Sequence, residues 1–196
     1  MIETIQSRRS IRCYQNTPLP QALVEEVVRS GGLAPSSKNR QPWRFIAVSG
    51  SSKQSLLETM ARGLARERSA PLLPGSAPFL DGAGHTLDIM AQAPVILLAV
   101  NPLGQELHQV LSPEERVSEI CNAQSFGAAM ENMTLTATRL GLGSLWICDT
   151  FFAQEELSAW LDVPGQLWAA MALGYPDEEP PPRPRKGLEE ILEWRT

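Results

Sequence analysis

This chain of 196 residues has little of what most catalytic or anchoring sites are built from. Its three cysteines, Cys13, Cys121 and Cys148, are odd in number and too widely spaced for a zinc pattern or a disulfide framework. Its two histidines, His85 and His108, fall in stretches without regular periodicity and read as surface residues rather than general bases. There is no order of Ser, His and Asp suited to a triad, no phosphate-loop lysine motif and no strand-linked Gly-x-Gly-x-x-Gly. Gly141-x-Gly143 lacks the third glycine and closes a helical pattern instead of opening one. No run of about 18 or more apolar residues occurs, so no spanning helix is expected. Glu3 and the lack of an early apolar stretch argue against a secretory leader. With the unpaired cysteines, that points to a reducing, cytoplasmic setting. There are no internal repeats, and an apolar fraction of 43% suffices for the core of a single domain, residues 1–196.

Charge is informative by its placement. The net charge of −5 argues against a nucleic-acid partner. Residues 1–44 hold seven Arg or Lys against three acids, a local +4 that leaves −9 on the other 152 residues. A basic island on an acidic chain suits a small anion; a solvated basic face is the alternative.

Two clusters organise that island. Arg8-Arg9-Ser10-Ile11-Arg12 sets three guanidiniums and a hydroxyl within five residues. Guanidinium forks match phosphate oxygens, because two N–H donors reach one anion in a plane. Ala34-Pro35-Ser36-Ser37-Lys38-Asn39-Arg40-Gln41-Pro42-Trp43 is a proline-bounded loop of short hydroxyl and amide side chains. Such a loop either offers donors and acceptors to a polar heteroaromatic edge or bonds its own backbone. A charged anchor and a polar rim joined by a short helix are what a phosphorylated planar cofactor needs.

Periodicity supplies the frame. Residues 2–7 read as a short helix, and a second runs from Pro20 to Gly31-Gly32 with Leu23, Val24, Val27 and Val28 on one face. Residues 44–49 read as a strand, and a helix follows to about Arg68. In residues 69–86, Pro71, Pro74, Gly75, Pro78, Gly82 and Gly84 break any pattern, which suggests a lid or a disordered excursion. Residues 95–100 are continuously apolar, as in a strand covered on both faces. Ser112-Pro113-Glu114-Glu115 is a capping box that opens a helix reaching Leu140, with an early break allowed. Its small residues Ala123, Gly127, Ala128 and Ala129 fit a dimer seam or ordinary core packing. Strands at 144–148 and 167–173 flank a helix at 154–161, and an acidic proline-rich arm at 177–196 ends in a helix-like segment over 188–194. This order predicts an α+β domain with helices on both faces of a mixed sheet.

The two clusters, in this order, resemble the flavin-dependent nitroreductase family. Arg139-Leu140-Gly141-Leu142-Gly143-Ser144-Leu145-Trp146-Ile147, Ala172-Leu173-Gly174-Tyr175-Pro176 and Arg183-Pro184-Arg185-Lys186 extend the resemblance over most of the chain. It implies a nitroreductase-like three-layer fold in an intertwined homodimer, with FMN at the interface and NADH or NADPH as electron donor. On this resemblance Arg8, Arg9, Ser10 and Arg12 bind FMN phosphate, ribityl and pyrimidine oxygens, and Arg183 and Arg185 complete the phosphate cage. Pro35, Ser36, Ser37, Asn39 and Gln41 come from the partner subunit, and Ile147, Cys148 and Asp149 lie against the ring. Cys148-Asp149 stands where some relatives have Glu-Gly, which bears on how closely the backbone approaches the ring. Cys148 itself reads as a buried small hydrophobe. Arg183 and Arg185 have salt bridges to the surrounding acids as their other reading. No catalytic side chain is predicted, because hydride is carried at flavin N5. The implied reaction is ping-pong transfer from NAD(P)H to a nitroaromatic, a quinone or a similar small acceptor. A flavin-dependent dehydrogenase, an oxygen-using relative and a non-catalytic FMN-binding protein are the alternatives.

Overall fold

The computed structural model describes residues Met1–Thr196. In chain order the elements are α1 (Glu3–Ser7), α2 (Gln21–Gly32), β1 (Arg44–Val48), α3 (Gly50–Ser69), α4 (Leu80–Gln92), β2 (Val95–Asn101), α5 (Pro113–Arg139), β3 (Gly143–Ile147), α6 (Gln154–Leu161), β4 (Gln166–Gly174) and α7 (Leu188–Ile191). The strands form one sheet in the order β1-β2-β4-β3. Neighbours are antiparallel throughout, with Ile46 opposite Leu98, Ile96 opposite Ala172 and Leu145 opposite Ala172. The expected mixed sheet is therefore corrected for this chain. Parallel pairing occurs only as the isolated bridge between Ser10 and Ser144.

Every residue of β2 is buried, because alternate side chains enter different cores. Ile96, Leu98 and Val100 join Leu56 and Met60 of α3, Met90 of α4 and Leu157 of α6 on one face. Val95, Leu97 and Ala99 join Val24 and Val27 of α2 and Phe126, Met130 and Met133 of α5 on the other. Helices thus cover both faces, giving three layers. The α2–α5 crossing is tight: a Cβ added at Gly31 would lie 2.8 Å from the Met133 side chain. The α3 contact near Ala153 is tighter, since a Cβ at Gly63 would lie 2.6 Å from the Ala153 Cα.

The capping box at Ser112 forms, and α5 continues unbroken for 27 residues. Residues 69–86 are more regular than expected. Helix α4 runs through Gly82 and Gly84 because Leu80, Ala83, Ile89 and Met90 are buried along it. Irregular chain is confined largely to residues 70–76, and Glu67 ties it down. That carboxylate is 1% exposed and accepts the N–H groups of Leu72 and Leu73, each at 2.9 Å. In the C-terminal arm the closing helix is one turn, Leu188–Ile191. No helix is long and apolar enough to cross a membrane.

Candidate functional site

The first strand-like segment after α1 fixes the anchor. Ile11 N donates to Ser144 O at 3.0 Å, and Gln15 N donates to Tyr175 O at 3.0 Å. Asp177 N donates to Cys13 O at 2.9 Å, and the Glu178 carboxylate accepts the N–H groups of Arg12 and Cys13. The Tyr14 hydroxyl donates within reach of Ile11 O and Ala172 O, and burial pushes its pKa far up, so it stays a donor. These bonds lace the N-terminal segment to β3 and to the chain leaving β4. They carry the prolines at 180–182 back over Arg8–Arg12.

The result is a cleft of about 650 Å³ in which Arg8, Arg9, Ser10 and Arg12 face Arg183 and Arg185. The predicted groups from the two ends of the chain are brought together. Of the five guanidiniums only Arg8 has a carboxylate partner, Glu131 at 3.7 Å. Arg183 and Arg185 pair with none of the acids beside them; Arg185 instead donates to the Arg183 and Pro184 carbonyls. Arg9 folds back on the Gln6 and Arg8 carbonyls at 2.7 and 2.8 Å. Arg12 makes one long bond, 3.3 Å, to Ser10 O. The cleft therefore holds cationic donors, several of them exposed and engaged only by main-chain oxygens. Such donors bind an anion strongly because the bonds are charge-assisted.

The 35–41 loop lies elsewhere in the same chain. It packs on α5, where Ser37 N donates to Ser125 Oγ at 3.2 Å. Part of its polarity is spent internally, since Gln41 N donates to Ser36 Oγ at 3.0 Å and Gln41 Nε2 to Asn39 Oδ1 at 3.3 Å. Lys38, Asn39 and Gln41 all have positive φ, between 50° and 54°. Non-glycine residues rarely hold this conformation, and such strain collects at ligand clamps. Pro35, Asn39 and Gln41 remain exposed.

At the end of β3 the side chains alternate: Leu145 in, Trp146 out, Ile147 in, Cys148 out. Cys148 is exposed, which corrects its reading as a buried hydrophobe. Desolvation by its apolar neighbours, then the charge of Asp149, raises its pKa, so the thiol is not activated. Cys148 and Asp149 both avoid positive φ, so the missing glycine costs nothing in backbone conformation. Thr86 Oγ1 donates to the Asp149 carboxylate and fixes it. Trp146 and Cys148 open onto an apolar hollow of about 440 Å³ walled by Phe126, Phe151 and Trp168. Phe126 and Trp168 meet edge to face with centroids 5.2 Å apart. No residue from 69–86 lines this hollow or the cleft in the same chain.

Sequence reasoning missed the far wall of the hollow. Arg116, Glu119, Ile120 and Ala123 of α5 line it. Their spacing of i, i+3, i+4 and i+7 puts them on one helix face, a signal present in the sequence. Ser144, beside Ser10, and Cys148, in the hollow, are four residues apart, roughly 13 Å along a strand. No group of three or more His, Cys, Asp or Glu is placed to hold a metal.

A family model described as the nitroreductase family matches residues 5–175. The chain is 31% identical to a protein named NADH dehydrogenase from Thermus thermophilus, over 96% of this chain and 92% of that one. The fold is similar to that of a BluB-like flavoprotein from Clostridium difficile 630, with 26% identity, a TM-score of 0.75, and coverage of 99% and 98% of the two chains. It is also similar to the fold of an FMN and NADPH-dependent nitroreductase, NfnB, from Sphigopyxis sp. strain HMH. There the identity is 20%, the TM-score 0.75, and the coverage 99% and 98%.

Proposed function

Because the chain belongs to the nitroreductase family, we propose that it is an FMN-dependent NAD(P)H oxidoreductase acting on a small electron-poor acceptor, a nitroaromatic, a quinone or a similar molecule. One observation carries the reading: arginines from both ends of the chain converge on one cleft, and Arg12, Arg183 and Arg185 there have no carboxylate to neutralise them. An FMN phosphate fits that donor set. Ser10 would then hold the ribityl chain, and residues 147–149 with the aromatic-walled hollow would hold the ring. FMN supplies hydride transfer at its N5 when bound. The protein binds, orients and excludes water; Trp146, Phe151 and Trp168 give a planar ring an apolar bed. A hollow shared by donor and acceptor would give ping-pong order.

A purified sample is expected to be yellow, and anaerobic NADPH or NADH is expected to bleach it within seconds. Colourless protein that takes up no FMN on soaking sinks the reading. FMN retention without bleaching favours an oxygen-using or non-catalytic relative.

An intertwined homodimer completes this reading. The C-terminal arm exposes Leu188, Ile191 and Trp194 at 65%, 68% and 82%, which is costly in water unless another surface covers them. β1 is an edge strand with one side unpaired. Pro35, Ser36, Ser37, Asn39 and Gln41 lie apart from the cleft of their own chain, so their contribution to FMN is to the partner's site. Sedimentation is expected to give twice the chain mass at micromolar concentration. A monomer that binds FMN tightly counts against the shared site.

A further inference from the structure

Resting on the oxidoreductase reading, we propose that Glu119 is the proton donor to the reduced acceptor. Taking up hydride leaves a quinone or nitro group one proton short of its neutral product. Neither histidine lines the hollow: His85 lies on α4, and His108, exposed, sits between Leu107 and Gln109, which border the neighbouring polar hollow.

Glu119 is placed for that task. It is half-buried on α5 and lines the apolar hollow that holds Trp146 and Cys148. It also lines two more polar hollows, of about 400 and 260 Å³, on its other sides. Glu119 therefore stands on the wall between an apolar chamber and two polar hollows, and Gln105, which holds one of its carboxylate oxygens, lies on the polar side. Its one recorded protein hydrogen bond comes from Gln105 N at 3.3 Å, and it has no salt bridge. Burial raises its pKa and the Gln105 bond opposes this, so the neutral acid is favoured at higher pH than for an ordinary glutamate. The charged and titratable groups around it are few. Glu114, Glu115 and Arg116 share its helix, Arg40 faces it across one polar hollow, Glu106 stands in the other, and Cys148 lies across the apolar one.

The step balances for a quinone. Two electrons and one proton come as hydride from the reduced nicotinamide, and FMN, which the arginine cleft would hold, would supply the carrier for them. The Glu119 O–H bond breaks, its proton forms an O–H bond on the second quinone oxygen, and the carboxylate remains. Hydroquinone leaves, nicotinamide has been oxidised, and water in the polar hollow reprotonates Glu119. On this proposal the Glu119 carboxyl would contact the acceptor, which would make it a catalytic residue.

The test uses FMN-loaded wild type and E119Q, with stopped-flow bleaching by NADPH and reoxidation by menadione followed from acid to alkaline pH. Wild-type reoxidation is expected to slow as pH rises through the Glu119 titration. In E119Q it is expected to fall by about a hundredfold at low pH and lose that pH dependence, well beyond any change in bleaching. E119D is expected to recover part of the rate and the slope. Apart from turnover, carboxyl ¹³C resonances of the apo protein are expected to show Glu119 titrating above the ordinary glutamate value. Normal bleaching with an unchanged pH profile in E119Q overturns the Glu119 assignment alone, as does an ordinary or depressed titration. A wild type that holds no FMN or is not bleached overturns the parent reading and this one with it.

Discussion

Arg12→Ala combined with Arg185→Ala is expected to give a folded protein that loses FMN on gel filtration. Both side chains are exposed and donate only to main-chain oxygens, of Ser10 for Arg12 and of Arg183 and Pro184 for Arg185. Their removal leaves no buried partner unsatisfied and relieves repulsion among five cations, so thermal stability without cofactor stays level or rises. Binding is different. Each charge-assisted bond contributes about 1.5–3 kcal/mol, so two lost bonds weaken FMN by about 3–6 kcal/mol, on the order of 10²- to 10⁴-fold in Kd. Fluorescence titration of the apo protein measures this directly. Arg29→Ala removes a basic group that pairs with Glu26 outside the cleft and serves as the reference. If the double variant and Arg29→Ala bind FMN alike, the cleft is not the phosphate site.

Glu67→Gln is expected to have the largest effect on stability. Burial alone would raise the pKa of this carboxyl, but the N–H groups of Leu72 and Leu73, the Ser76 side chain and the Arg66 guanidinium outweigh it and bring it down to about 2. A folded-state pKa below the unfolded value means stability that is present above about pH 4.5 and is lost as pH falls toward about 2. The shift corresponds to about 3 kcal/mol. Arg66 is also held by Glu156 at 2.9 and 3.0 Å, so the variant leaves the guanidinium one carboxylate partner and the two loop N–H groups at most one neutral acceptor between them. Urea unfolding is expected to separate wild type from E67Q by about 3 kcal/mol at pH 7, with the gap closing near pH 2. Amides of residues 72–76 are expected to exchange faster in the variant. A gap that stays constant with pH would sink this account.

Much of the frame was legible because it rests on local chemistry. The Ser112 capping box set the start of α5, and the unbroken apolar run at 95–100 announced a strand buried on both faces. What failed was where tertiary packing overrides local preference. Gly82 and Gly84 each cost a helix about 1 kcal/mol relative to alanine, yet α4 forms because Leu80, Ala83 and Met90 bury one face. Strand direction was not readable, since it depends on which strands become neighbours. The arginine cleft was anticipated from its residues, and the structure brings those residues together. Cys148 was misread although the alternation from Leu145 onward shows that it points outward. The spacing of Arg116, Glu119, Ile120 and Ala123 marks one helix face in the sequence, but only the hollow shows what that face borders.

Of the strands in this sheet β4 is synthesised last, yet it sits inside it, paired with β2 on one side and β3 on the other. During vectorial synthesis only β1 and β2 can join early; β3 must wait for a strand partner, with only the Ser10–Ser144 bridge available to it. The Val95–Leu173 pairing closes a separation of 78 residues, which makes completion of the sheet slow. A nascent chain stalled before Gln166 therefore presents unmatched strand edges and an uncovered apolar layer, the surfaces through which incomplete chains aggregate.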